Sequence, residues 1–202
     1  YSAAGSMAWL TGDYGRAKEL HERAQISYLA LGDTLAAANS RHNVSVQLQE
    51  MGEFIASRES VSENIEFYRG IEDWMGVARS LTSLGALHKA LGDDHASRHV
   101  YRDALDVSRR AHYLAAITMN LSNLAQAELS LGNLTAAEDL LDQARQANKV
   151  TGLERLEIDI ELALGRLREA QHRHDEALVH ARQALERAHT GGYRDSVADA
   201  LE

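Results

Sequence analysis

The chain has 202 residues, 45% of them hydrophobic and 25% charged, so it holds enough apolar material to bury a core. A formal net charge of -9, with arginines interleaved among acids as along Arg155, Glu157, Asp159, Glu161 and Arg166, excludes the basic face that a nucleic-acid backbone requires. Cysteine is absent, which removes disulfides and thiolate metal sites, and no apolar run approaches the ~20 residues that span a membrane.

Proline is also absent, where average usage would supply about ten. Because proline breaks helix interiors and marks many loops, its absence predicts a chain that is helical almost throughout, with turns made by Gly, Asp and Asn. Ala, Leu, Glu, Arg and Gln dominate, and all are strong helix formers. The opening Tyr1-Ser2-Ala3-Ala4 lacks the basic start of a secretion signal, and the expected setting is cytoplasmic.

In chain order, Tyr1 falls within a first helix, Gly12 breaks it, and Leu31-Gly32-Asp33 closes a second. In the third unit, Leu81, Leu84, Leu87, His88 and Leu91 trace one buried face of a helix. Gly92-Asp93-Asp94 then ends that helix, with Gly suited to a left-handed C-terminal position and Asp to capping the next helix. A second helix runs from about Ala96 through Val100, Ala104, Leu105 and Val107 to a break near Arg110-Ala111-His112. Thr151-Gly152 marks the corresponding break in the fourth unit, and Tyr193-Arg194-Asp195-Ser196-Val197-Ala198 opens another first helix.

Register holds across the chain. Gly12, Gly52, Gly92 and Gly132 stand 40 residues apart, with His172 at the fifth equivalent position. Ala17, Ser57, Ser97, Ala137 and Ala177 share that spacing, as do Gly5, Ser45, Gly85, Ala125 and Gly165, and Ala24, Asn64, Ala104, Ala144 and Ala184. Small residues at fixed positions are what close helix crossings need, and tight packing offsets the ~1 kcal/mol that a helical glycine costs relative to alanine. The reading is a single all-α repeat domain over 1–202, with units 1–32, 33–72, 73–112, 113–152, 153–192 and a partial 193–202. Its ends fall inside the pattern, which reads as a piece of a longer protein able to self-associate through uncapped ends.

A small residue early in the first helix, a glycine at the turn, and two alanines seven apart in the second helix, as in Ala137 with Ala144 and Ala177 with Ala184, resemble tetratricopeptide (TPR) repeats. The period of 40 departs from the usual 34, and the family's terminal proline and first-helix tyrosine are missing. Long units with Leu-Gly-Asp turns look like the solenoids of bacterial LuxR-type and signalling-ATPase regulators. The resemblance implies a right-handed superhelical solenoid of about five antiparallel helix pairs. It further implies a non-catalytic protein- or peptide-binding scaffold, the sensor or interaction region of a bacterial regulatory protein involved in transcription or signalling. The alternative is a small-molecule effector domain, for which an aromatic-lined pocket near Trp74 would be the sign.

The resemblance places binding on the concave surface lined by first helices. By register this surface carries Asn39, His42 and Asn43 with Val46 and Gln49, then Arg79, Ser83 and Lys89, then Asn123 and Gln126 with Met119, and Arg166. Asn43 and Asn123 are equivalent positions, and a carboxamide both donates to and accepts from an extended peptide backbone. Arg41, Arg79 and Lys89 could alternatively clamp a carboxylate, although Glu50 lies close.

Other features have ordinary readings. Phe54, Phe67, Tyr68 and Trp74 cluster around one repeat, either as a repacked core or as an anchor for a partner. His95 with His99, and His172 with His174, lack an evident third ligand, so no metal and no cofactor is expected. Asp93-Asp94 and Glu138-Asp139 read as helix-start acids meeting the helix dipole. The sequons at Asn43, Asn120 and Asn133 read as coincidence.

Overall fold

The computed structural model describes residues 1–192; the expected helix at Tyr193–Ala198 and the partial unit 193–202 lie outside the described residues. Ten helices account for nearly all of them: α1 (Ser2–Leu10), α2 (Tyr14–Ala30), α3 (Thr34–Glu50), α4 (Phe54–Gly70), α5 (Trp74–Ala90), α6 (Asp94–Arg110), α7 (Leu114–Ser130), α8 (Leu134–Thr151), α9 (Glu154–Ala170) and α10 (His174–Gly191). No strand occurs among the described residues, and no helix there is long and apolar enough to cross a membrane.

The turns explain the regularity. A left-handed residue recurs every 20 positions, at Gly12, Gly32, Gly52, Gly92, Gly132, Gly152 and Gly192, and also at the non-glycines Glu72, His112 and His172. His172, which as a sequence reads as a lost glycine, keeps the glycine conformation with φ of 60°. After the left-handed residue comes the cap. Asp13, Asp33, Asp73 and Asp93 each accept a hydrogen bond from the backbone amide three residues on, satisfying a donor that the helix itself cannot. Turns this short reverse the chain, so within each compact unit each helix packs antiparallel on the one before it.

The helices form two compact units, Tyr1–Leu91 and one from Gly92 onward. In the first, α1 packs on α2, α2 on α3, α3 on α4, and α4 on α5, with α3 also touching α5. In the second, α6, α7, α8, α9 and α10 pack in succession, and α7 touches α9. Within each unit this is the stacking of an antiparallel helix-pair solenoid.

Small residues sit at the crossings, as their spacing requires. Ala17, Ser57, Ser97 and Ala137 are buried, and so are Ala24, Asn64, Ala104, Ala144 and Ala184. A Cβ at Gly5 would fall 2.7 Å from the His21 ring, and one at Gly165 would touch α10 at the Ala177 carbonyl. Close approach of the neighbouring helix is thus what Gly5 permits, whereas Gly165 lies at ordinary contact distance.

Two expectations change. Leu91 is not on a buried face; it is the half-exposed residue that follows α5. Glu138 is not a helix-start acid, because α8 begins at Leu134 and the dipole effect fades within the first turn; its carboxylate instead bonds Arg168 on α9. Of the clustered aromatics, Tyr68 is fully buried, Phe67 meets it edge-on at 5.5 Å, and Trp74 is half exposed.

Candidate functional site

The first helices of the successive pairs are α1, α3, α5, α7 and α9, and the residues expected to bind lie on four of them. Asn39 is exposed on α3, while Asn43 is half-buried one turn further on. His42, between them, is 9% exposed and turned into the packing. Burial, then the charge of Arg79, lowers its pKa to about 4. On α5, Arg79, Ser83 and Lys89 are half-buried; on α7 Asn123 and Gln126 are half-buried; on α9 Arg166 is exposed.

Two of these residues are joined directly. Asn39 Oδ1 accepts hydrogen bonds from Arg79 and from the Tyr68 hydroxyl, and Arg79 also donates to that hydroxyl at 2.9 Å. The guanidinium lies 5.6 Å from the centre of the Tyr68 ring. Arg79 is thereby committed to holding α3, α4 and α5 together. Arg41 is committed likewise, donating to Asn64 at 2.8 Å and to Glu63 at 2.9 Å. Two of the three cations that a carboxylate clamp would recruit, Arg41 and Arg79, are therefore engaged within the fold.

Asn43 has a different environment. It borders a recess of about 380 Å3 between α1 and α3, with Trp9 and Leu10 on one side and Val46 and Gln47 on the other. His21 of α2 and Ser6 complete the lining. Asn43 Nδ2 lies 3.5 Å from His21 Nδ1. Burial lowers the His21 pKa, so the ring is neutral at pH 7 and can accept that N–H. Gln47 is 3% exposed, and its Oε1 accepts no hydrogen bond. The recess has the composition of a small binding pocket, mostly apolar with a few convergent polar groups, and its volume lies at the lower end of the ~300–1,000 Å3 range of such pockets.

Trp9, Ser6 and His21 were not among the expected residues. Register held the signal, since Trp9 is equivalent to Gln49 and Ser6 to Val46, both assigned to the same face. Trp74, the aromatic whose pocket would have marked an effector site, is half exposed at the start of α5. Among the described residues no group of three or more His, Asp or Glu is arranged to hold a metal ion, and His95 and His99 are exposed on α6.

A tetratricopeptide repeat family model matches residues 114–189 and a second matches residues 77–112, together more than half of the chain. Among solved structures, the Rap conjugation gene regulator of the plasmid pLS20, in complex with a Phr peptide, superimposes with a TM-score of 0.85 at 17% identity, covering 98% of this chain and 55% of that one. A Rap protein complexed with competence and sporulation factor gives 0.81 at 13% identity, covering 100% and 54%. A thermophilic TPR protein of Thermus thermophilus gives 0.66 at 21% identity, covering 99% and 96%. The chain thus spans about half the length of the two Rap proteins, and at these identities the likeness is one of fold. No curated protein sequence matches it. Helix-pair units in a fixed register, small buried residues recurring in that register and two family matches lead to one conclusion: this chain is a tetratricopeptide repeat protein.

Proposed function

We propose that this chain is a non-catalytic scaffold that binds a peptide segment on its first-helix face, as the interaction or sensor region of a bacterial regulatory protein. The observation that carries this reading is Asn43, a half-buried carboxamide beside an apolar recess whose polar groups are not all satisfied internally. An extended peptide offers what such a face lacks: backbone groups for the carboxamide and a side chain for the recess. The two Rap structures of similar fold, one in complex with a Phr peptide and the other with competence and sporulation factor, point the same way. Stacked repeats lose little conformational freedom on binding, so most of the contact energy would appear as affinity.

The test is selection from a phage-displayed peptide library on the full chain, followed by affinity measurement on wild type and Asn43→Ala. Enriched peptides should bind about tenfold more weakly to the variant, as expected for a well-placed hydrogen bond lost from a partly buried site. Failure to enrich any peptide, or equal binding by a correctly folded variant, would overturn the reading.

A further inference from the structure

The recess between α1 and α3 specifies more than a generic apolar contact. None of its lining side chains carries a charge at neutral pH: Ser6, Trp9, Leu10, Val46 and the two carboxamides are neutral by nature, and His21 is held neutral by burial. A charged side chain entering it would shed water without gaining a counterion, at a cost that an apolar wall cannot offset. Basic and acidic occupants are therefore disfavoured.

Its polar groups are not balanced. Asn43 Nδ2 is within reach of His21, whereas Gln47 Oε1 is buried and accepts nothing. A buried acceptor without a donor is a standing cost to the fold, relieved when a donor arrives. The last torsion of a glutamine side chain is soft, so the carboxamide can turn its oxygen to meet one. Trp9, 37% exposed at the rim, offers an aromatic surface against which a planar group stacks or packs edge-on.

From these observations we infer that the recess is a side-chain pocket for an aromatic residue that bears a neutral hydrogen-bond donor, tyrosine or tryptophan, with Gln47 accepting from its O–H or N–H and Trp9 and Val46 packing on its ring. This rests on the peptide-scaffold reading for its biological setting, but the pocket itself can be examined with single amino-acid derivatives.

The experiment titrates the isotope-labelled full chain with N-acetyl-tyrosinamide, N-acetyl-tryptophanamide, N-acetyl-phenylalaninamide and N-acetyl-lysinamide, following the side-chain amide signals of Asn43 and Gln47 and the indole signal of Trp9. The tyrosine and tryptophan derivatives should move these signals. The phenylalanine derivative, which lacks the donor, should bind about fivefold to tenfold more weakly, and the lysine derivative should leave them in place. Gln47→Leu keeps the volume, removes the orphan acceptor, and should abolish the preference for tyrosine over phenylalanine. Saturable binding of the lysine derivative at these signals, or a tyrosine preference that survives Gln47→Leu, overturns the assignment. So does enrichment of library peptides that bind through Asn43 but carry no tyrosine or tryptophan preference, an outcome that leaves the scaffold reading intact. Binding of the tyrosine derivative without any enriched peptide supports the pocket and removes the scaffold.

Discussion

Glu138 of α8 and Arg168 of α9 meet at 2.7 Å, and one repeat earlier the same two positions are filled with the charges exchanged, Arg98 of α6 facing Glu128 of α7 at 3.8 Å. Both pairs join the second helix of one hairpin to the first helix of the next. The position pair is thus a structural staple that tolerates either polarity. Arg168 is largely buried and Gln171 donates to the same carboxylate at 3.2 Å. Arg168's hydrogen bond holds the Glu138 carboxyl below its ordinary pKa against the opposing effect of burial. Reversing one charge, Arg168→Glu, should cost about 1–3 kcal/mol in urea denaturation, and adding Glu138→Arg should recover much of it. Recovery will be incomplete, since Glu176 lies 3.6 Å from Arg168 and would repel the new acid. Strict additivity of the two substitutions would show that the pair is not coupled.

Glu72, His112 and His172 hold left-handed backbone that costs a side-chain-bearing residue about 1–2 kcal/mol. Replacing each by glycine removes that cost and gives back part of it as entropy of the unfolded chain. Each single glycine variant should therefore raise stability by up to about 1 kcal/mol, and the triple variant should raise Tm further. The converse holds at Gly132, where a Cβ would meet nothing within 4 Å. Gly132→Ala should destabilise through backbone strain alone, by a similar amount of about 1 kcal/mol. Thermal denaturation followed by circular dichroism reads both; a glycine variant less stable than wild type at Glu72 would count against the argument.

These turns also show what a sequence can and cannot disclose. The 40-residue period was legible because Gly12, Gly52, Gly92 and Gly132 use the one residue that adopts positive φ freely. The intervening breaks were legible too, at Leu31-Gly32-Asp33, Arg110-Ala111-His112 and Thr151-Gly152, but the left-handed backbone at Glu72 and His112 was hidden, because their side chains give no sign of it. The candidate site divides in the same way. Asn43 could be placed by register, but the recess beside it could not, because it depends on Trp9 from one helix and an unpartnered oxygen of Gln47 from another. A cavity is a property of how helices sit together, and the periodicity of a single helix does not contain it. The commitment of Arg79 to Asn39 and Tyr68 was likewise out of reach, being made across three helices.

Tyr68 and Gly76 illustrate a trade of volume between neighbouring helices. A Cβ at Gly76 would run into the Tyr68 ring, so the large residue on α4 requires none on α5. One repeat on, the equivalent positions are Ser108 and Ala116, and one further they are Asn148 and Leu156. Compared with Tyr68 and Gly76, each of these pairs has a smaller side chain on the second helix and a larger one on the helix that follows. Gly76→Ala should accordingly destabilise by about 1–3 kcal/mol, the usual cost of overpacking. Tyr68→Ser combined with Gly76→Ala should be more stable than the sum of the two single losses predicts, because Tyr68→Ser removes the ring that the new Cβ would strike. Denaturant midpoints of the four proteins in that cycle decide it, with simple additivity as the outcome that refutes the exchange.

His42 makes stability depend on pH in a defined direction. Burial and the Arg79 charge lower its pKa from 6.5 to about 4, so the folded chain holds it neutral where the unfolded chain takes up a proton. Between these values the unfolded state binds more protons, and stability therefore falls as pH falls. The contribution is complete above about pH 6.5 and is lost progressively toward pH 4. At about 1.36 kcal/mol per unit, moving from pH 7 to pH 5 should remove about 2 kcal/mol through this one residue. His21, also lowered by burial, acts in the same direction. His42→Leu takes the titrating group away and removes the unpartnered His42 Nδ1 with it. The difference in unfolding free energy between pH 7 and pH 5 should then shrink by about that 2 kcal/mol relative to wild type, and a variant with the same pH slope as wild type would show that His42 is not the group responsible.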